Sequence, residues 1–404
     1  METIKMAWRN IWRNKARSGA VSMAVILGIA AGIFASSLVE GVMRSRFVNF
    51  IENQVSHIQV QHPEFIREQE VFQTIPVDRH RLSEIQTHHQ VRGATVRTRS
   101  QSMIASATYT GGISLVGILP QSEHQTTAFA DKLVMGEYLP DDHDNSILIG
   151  ASMATKMKVS VGSRIVLSFQ DKDNELVSAA FVVRGLFDTG YKRYDESTAF
   201  VHLHHISDYL KVAPYFHELA VLAHDPDSLH AVVADLQPFF PGMSVRQWQE
   251  IAPELEMMMA SSGIFSYIFI ILILIGLAFG LLNTMLMAVF ERTREIGMLM
   301  AIGMNKRRLF ALIVSETALL SLFGTAIGLI LAIWLVNWTG RSGIDLSAFS
   351  DVMKELGVDP VIYPMLDASF VWVLPWIVLT ISILAALYPA LKALKLKPAE
   401  AIGK

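Results

Sequence analysis

The chain has no cysteine. That excludes disulfides, thiolate nucleophiles, thiolate zinc sites and iron–sulfur clusters together, and leaves packing as the source of stability. Charge is scarce too: 18% of the 404 residues are ionic, and 34 basic against 37 acidic side chains leave a net charge of only -3. No basic field exists to hold a nucleic-acid backbone, so nucleic acid is set aside as a partner. A Gly-x-x-x-x-Gly-Lys-Ser/Thr phosphate loop is missing, the only Gly-Lys pair being Gly403-Lys404, so ATP would have to be bound elsewhere. His-Glu-x-x-His and Gly-x-Ser-x-Gly are both missing, which leaves a zinc-protease or serine-hydrolase reading without support. No internal repeat or low-complexity tract interrupts the chain.

What is abundant is apolar surface. Hydrophobic residues make up 51% of the chain, and the mean hydropathy of +0.37 is too high for a soluble protein of this length. Crossing a bilayer takes about 20 apolar residues, and four stretches run that far without charge. They are 18–39, 257–290, 309–340 with Glu316 as its one interruption, and 368–391. The first exceeds the roughly 7–15-residue core of a secretory signal and reads as a retained anchor.

Lys and Arg cluster on cytoplasmic flanks. Here they sit before the first span (Lys5, Arg9, Arg13, Lys15, Arg17), between the second and third (Arg292, Arg294, Lys306, Arg307, Arg308) and in the tail (Lys392, Lys395, Lys397, Lys404). The third-to-fourth connection has only Arg341 and Lys354, so both termini are expected inside and the long first connection outside. The plan is an interfacial helix 1–17, spans 18–40, 257–290, 309–340 and 368–391, an external mixed α/β domain 41–256, an internal segment 291–308, an external loop 341–367 and an internal tail 392–404. The fold class is therefore a four-helix membrane protein with an α+β extracytoplasmic domain inserted between helices 1 and 2.

The external domain carries all 13 histidines. Short β-branched and aromatic runs at 147–149, 165–169, 180–183 and 199–203 read as strands; 131–135, 151–157 and 203–210 read as helices. His202 and His204 would share one strand face beside His205, but no acidic or cysteine partner stands at a ligand spacing, so no metal is expected. Asp141, Asp142, His143 and Asp144 lack the glycine of a calcium loop and read as a solvated turn.

The cytoplasmic pieces are too short to be an enzyme or a signalling module. In the first, Ile4, Trp8, Ile11 and Trp12 fall on one helical face and Arg9, Arg13 and Arg17 on another, the pattern of a helix lying in the interface. In the segment 291–308, Ile296, Leu299 and Met300 form an apolar ridge with Glu295 near its start, suited to lodging in a groove on a partner, and Gly297 and Gly303 would let another backbone come close. Three spans carry Gly-x-x-x-Gly: Gly28 and Gly32, Gly276 and Gly280, Gly324 and Gly328. That spacing suits either packing within one chain or a seam between two. Glu316 is costly in lipid and is expected to face protein or water. Met43, Phe47, Met257, Met258, Met259 and Phe265 cluster at the outer ends of the first two spans, as ordinary packing or as an adaptable apolar contact for a substrate.

Several motifs, in order, resemble the four-helix ABC-transporter permeases of the macrolide-exporter, lipoprotein-release and FtsX type. Glu295-Ile296-Gly297 followed by Ala301-Ile302-Gly303 is similar to the family's coupling-helix signature, so the segment from Glu291 to Arg308 is expected to dock the ATPase; Glu316 with Gly324 and Gly328 is similar to its third-helix pattern. Pro389-Ala390 and Pro398-Ala399-Glu400-Ala401 resemble its closing segment. Ile149-Gly150 with Ala154, Met157 and Val161-Gly162, and Val183-Arg184-Gly185-Leu186-Phe187 with Gly190 and Asp195, resemble its extracytoplasmic domain. The resemblance implies a bacterial inner-membrane permease with a periplasmic domain, paired with a second permease chain and with cytoplasmic ATPase subunits that hold the ATP and magnesium. It implies no catalysis in this chain, and nucleotide-driven motion relayed mechanically to the periplasm. Val55-Ser56-His57-Ile58-Gln59-Val60 leading to His62-Pro63-Glu64-Phe65 is similar to the lipoprotein-releasing members, whose substrate is lipidated and passes to a periplasmic acceptor protein. Export of amphiphilic drugs or peptides and activation of a cell-wall enzyme are the alternatives within the family; a membrane receptor is the alternative outside it.

Overall fold

The computed structural model describes residues 2–13, 15–140 and 145–395. The acidic turn 141–144, Lys397, Lys404 and the Pro398-Ala399-Glu400-Ala401 motif lie outside the described residues. The chain divides into two compact units: Met1–Met43 with Met259–Asp345 and Val361–Lys404, and Arg44–Met258 with Leu346–Pro360. The connection read from sequence as one loop, 341–367, is thus shared between them.

The first unit is built on four helices long and apolar enough to cross a membrane: Lys15–Phe50, Pro253–Glu291, Lys306–Ser342 and Ala368–Leu394. At about 1.5 Å per residue, the first three are about 55 Å long against about 30 Å of hydrocarbon, so each outruns the apolar layer. Side-chain oxygens cap two of them at the N-terminus. Asn305 Oδ1 accepts from the amide of Arg307 at 3.1 Å, and Asp367 Oδ1 from that of Ser369 at 2.8 Å. Large apolar side chains such as Phe265, Phe279, Trp334, Trp338 and Trp372 point outward, as lipid-facing surfaces do.

Two of the three small-residue motifs close this unit from within. A Cβ on Gly324 would lie 2.9 Å from Val25 Cβ, and one on Gly328 would lie 3.1 Å from Ile26 O; one on Gly32 would lie 2.8 Å from Leu374 Cδ2 and one on Gly28 3.3 Å from Leu277 Cδ2. The first long helix therefore touches the other three through glycines of one partner or the other. Val25, Ile29, Leu277, Leu281, Leu374 and Val378 fill the resulting core. Gly276 and Gly280 differ: a Cβ at either would meet nothing within 4 Å.

Among the described residues, the second unit holds a ten-stranded sheet of β1 (Ile58–Gln61), β2 (Val91–Ala105), β3 (Thr110–Ile118), β4 (Leu133–Gly136), β5 (Ser146–Gly150), β6 (Arg164–Gln170), β7 (Leu176–Phe187), β8 (Thr198–His202), β9 (Glu218–Ala223) and β10 (Ser244–Gln247). The order is β10-β1-β9-β2-β3-β8-β5-β7-β4, with β6 pairing both β2 and β7. β2 is long enough to serve two neighbours on one edge, β9 along Val91–Arg97 and β6 along Ser102–Ala105. Ile147, Ile149, Phe181 and Val201, with Met153 and Met157 of the helix Ala151–Met157, form its main core.

The strands expected at 147–149, 165–169 and 180–183 fall within β5, β6 and β7, and the run 199–203 covers β8 up to His202, with Leu203 opening the next helix. The helix expected over 131–135 does not form. Residues 129–132 make a single 3-10 turn and 133–136 become β4, because Leu133, Met135 and Gly136 pair with the end of β7 and the ladder outweighs local helix propensity. His204 is likewise not on a strand. His202 closes β8 and its Nδ1 accepts from the amide of His204 at 3.4 Å, so His204 and His205 belong to the helix Leu203–Tyr209. Among the described residues no group of three or more His, Asp or Glu is placed to hold a metal ion.

Glycine explains part of the motif in the second unit. A Cβ on Gly150 would stand 2.0 Å from Asp195 O, so the end of β5 and the short helix Lys192–Ser197 approach as backbones. Asp195 accepts from the Thr189 hydroxyl at 2.6 Å and from its amide at 3.2 Å, while burial pushes its carboxyl up to about 7.

The deepest charges of this unit are paired. Arg97 donates through Nη2 to Glu123 at 2.6 Å, and through Nη1 to Glu218 at 3.0 Å and to the carbonyl of Gln54 at 3.2 Å. Arg99 reaches Glu218 at 2.6 Å. Arg97, Glu123 and Glu218 are all buried.

Candidate coupling site

The segment between the second and third long helices folds as a short helix, Thr293–Ala301, stopped by Gly303 at φ +98°. That positive φ is readily adopted only without a Cβ, which is the reason for a glycine there. Ile296 and Gly297 are buried, Leu299 lines a small cavity with Met285, Leu309 and Leu312, and Met300 packs on the membrane core.

This corrects the expectation that the Ile296, Leu299 and Met300 ridge seats in a partner's groove. The ridge is used inside the chain, since the apolar ends of the second and third long helices offer it the nearest dry surface. Gly297 is buried beside Ile296 within the chain. The opposite face carries Glu291, Arg294, Met298 and Ala301, and continues into Ile302 and Gly303, all exposed. Ile302 is 85% exposed, which singles it out among the apolar residues of this turn.

Charge fixes the helix at its start. Arg292 Nε donates to Glu295 Oε2 at 3.0 Å, and its Nη1 to Glu316 Oε2 at 3.2 Å. Arg13, at the end of the N-terminal helix Glu2–Arg13, donates to Glu295 Oε1. Burial alone would raise the Glu295 carboxyl, but Arg292 and Arg13 outweigh it and hold it below its ordinary value. Glu316 is 5% exposed. One guanidinium thus joins the short helix to the third long helix, and a second joins it to the N-terminal helix. The buried tie is the stronger, because the Arg13 and Glu295 side chains are 62% and 44% exposed and water screens them.

The N-terminal helix lies on the same unit. Ala7 is buried and Ile11 packs on the membrane core, while Trp8 sits 5.2 Å from the ring of Phe323 and Trp12 stays exposed. Exposed indoles beside apolar contacts suit a membrane–water boundary. The side chains of Ile4 and Arg17 lie outside the described residues.

The residues proposed to meet a substrate are spread over both units. Met43, Met259 and Phe265 belong to the first; Phe47, Met257 and Met258 to the second. Phe265 and Met257 are exposed, at 53% and 70%. Phe47 is committed to Trp248, 4.9 Å away edge to face, and Met258 lines a cavity of its unit.

Sequence reasoning missed Arg292 and Arg13 as partners of the acidic residues it had singled out. It also missed the cluster around Arg97. The available signal was a lone membrane carboxylate with a guanidinium just beyond the end of the preceding helix, and arginines at alternate positions of a strand.

Four membrane-length helices, a short helix tied to the third of them, and a large α+β insertion fit the plan of an ABC-transporter permease. Residues 18–239 match the MacB-like periplasmic core domain and residues 267–398 the FtsX-like permease C-terminal domain, and the chain belongs to the ABC permease family built from these two parts. It is 26% identical over 325 residues to the lipoprotein-releasing system transmembrane protein LolC of Neisseria meningitidis serogroup B, covering 75% of this chain and 76% of that protein. The LolC of Xylella fastidiosa is 24% identical over 340 residues, 80% of each chain. The macrolide export ATP-binding/permease protein MacB of Chlorobium luteolum is 33% identical over 123 residues, 30% of this chain and 16% of that one. Among solved structures, the periplasmic region of MacB from Actinobacillus actinomycetemcomitans aligns with 52% of this chain and 97% of its own at 12% identity and a TM-score of 0.37.

Proposed function

We propose that this chain couples ATP hydrolysis on separate cytoplasmic ATPase subunits to movement of its large domain, and that the work releases lipoprotein from the outer face of the bacterial inner membrane. Both termini and the short helix Thr293–Ala301 lie in the cytoplasm in this reading, the large domain lies in the periplasm, and a second permease chain completes the assembly. The observation that carries it is the two-sided short helix. Its inner ridge and the Arg292–Glu316 tie bind it to the membrane helices, while Met298 and Ile302 are left exposed for an ATPase to push against. An element packed on one side and exposed on the other transmits displacement. Lipoprotein release is favoured over macrolide export because the LolC relatives align along three quarters or more of both chains, and the MacB relative along 16% of its own.

Function is tested by reconstituting the chain with its ATPase and permease partner in proteoliposomes and following ATP-dependent passage of a lipoprotein to a soluble acceptor. Wild type should release the lipoprotein, and Ile302→Asp should lower release about tenfold or more, since a carboxylate would have to be buried at the contact. Wild-type release by Ile302→Asp would remove the assignment. Topology is open to a direct check, because the absence of cysteine makes every introduced thiol unique. A cysteine at Ile302 should be shielded from a membrane-impermeant maleimide in intact spheroplasts, and one at Leu176, 74% exposed, should react.

A further inference from the structure

A cavity of about 350 Å³ in the large-domain unit is walled by Arg46, Asn49 and Phe50 from the end of the first long helix, by Glu254 and Met258 from the start of the second, and by Tyr191. Three features mark it as more than a packing gap. Asn49 is 7% exposed, yet its Nδ2 has no hydrogen-bond partner, and a buried amide is rarely left so. Arg46 has no carboxylate partner among the described residues; its guanidinium lies over the Tyr191 ring, 5.9 Å from the centroid. Glu254 adds a carboxylate to the same wall, so the cavity offers both signs of charge beside the apolar Phe50 and Met258.

Depth narrows the ligand. Arg46 comes three residues after the apolar Met43, about 5 Å along the first long helix, and Glu254 comes three residues before the apolar stretch that begins at Met257. Both walls therefore stand at the polar edge of membrane-crossing segments, where headgroups lie. From this we infer that the cavity holds the headgroup of a zwitterionic aminophospholipid. The phosphate accepts from Arg46 and from Asn49 Nδ2, the primary ammonium donates to Glu254, and the acyl chains run past Met258 toward the apolar stretches. An anionic headgroup would leave Glu254 facing like charge. A quaternary ammonium has no N–H to give it.

The inference goes beyond lipoprotein release and requires only that the first two long helices cross a membrane. It is tested without ATPase or lipoprotein, so its failure and that of the proposed function are distinguishable. The full chain in nanodiscs of phosphatidylethanolamine, phosphatidylglycerol and phosphatidylcholine in equal parts is released into native mass spectrometry and its retained lipid counted. Wild type should keep one phosphatidylethanolamine per chain, at least fivefold over the other two. Arg46→Gln and the near-isosteric Asn49→Asp should each lower that retention about tenfold, in protein whose melting temperature stays within a few degrees of wild type. Glu254→Gln should retain a lipid but lose the preference over phosphatidylglycerol. Equal retention of all three lipids, or wild-type retention in both Arg46→Gln and Asn49→Asp, would overturn the proposal. So would displacement of the lipid by millimolar inorganic phosphate, which would mark a free-phosphate site, or by a triacylated peptide in preference to phosphatidylethanolamine, which would mark a substrate site.

Discussion

The two units both bury charge, and they do so differently. In the large domain Arg97 is enclosed by two carboxylates and a backbone carbonyl, with Arg99 as a second donor to Glu218. In the membrane unit Glu316 meets Arg292 at 3.2 Å, and that guanidinium also holds Glu295 of the short helix. The first arrangement satisfies its charges several times over and fixes one geometry. The second spans two elements through one side chain, so a modest displacement changes it. Buried ion pairs add little to stability over an apolar filling, but half of one left behind is costly. The comparison therefore reads the Arg97 cluster as a lock and the Arg292 tie as a joint.

Breaking the lock should give the largest effect. Arg97→Met leaves Glu123 buried without its cation and Glu218 with Arg99 alone and should cost about 3–5 kcal/mol, seen as a lower melting temperature and as protease cleavage within the large domain. A melting curve equal to wild type would show that the cluster is not the lock described.

Asp195 sharpens the same contrast through pH. Burial raises its carboxyl to about 7 in the folded state, against about 3.9 for an unfolded aspartate. Between those values the native state holds the proton more firmly than the unfolded chain, so this group's contribution to stability falls as pH rises from about 4 to 7 and is level above that. Asp195→Asn should remove that slope in a series of melting temperatures, keeping the acceptor for the Thr189 hydroxyl. An unchanged slope would place the pH dependence elsewhere.

Smaller effects are expected from the membrane glycines. Gly324→Ala puts a methyl 2.9 Å from Val25 Cβ and should cost about 1–3 kcal/mol by overpacking. Gly276→Ala and Gly280→Ala meet nothing within 4 Å and should leave the melting temperature of the isolated chain unmoved. Equal destabilisation by all three would erase the distinction between packed and open glycines.

Much of the fold was legible because its signals are local. Uncharged stretches marked the four long helices, and β-branched runs marked β5, β6, β7 and β8. What escaped depended on partners distant in sequence. Leu133–Gly136 is a strand because β7 lies beside it, and the register that pairs Leu133 with Phe187 leaves no trace in a local window. The same holds for the site. The spacing of Ile296, Leu299 and Met300 correctly gave a one-sided helix, but periodicity does not say whether the apolar side meets another protein or its own chain. The glycine motifs likewise looked alike in sequence, yet Gly324 and Gly328 pack on the first long helix and Gly276 and Gly280 face open space.

The central claim is that the short helix Thr293–Ala301 gives its inner face to the membrane helices and its outer face to an ATPase. Site-specific photo-crosslinking in cells tests it directly, with benzoylphenylalanine placed one position at a time at Met298, Ile302 and Ile296. Met298 and Ile302 should capture the ATPase subunit, and Ile296, 6% exposed, should crosslink only within its own chain. Capture of the ATPase from Ile296, or from none of the three, would contradict the account.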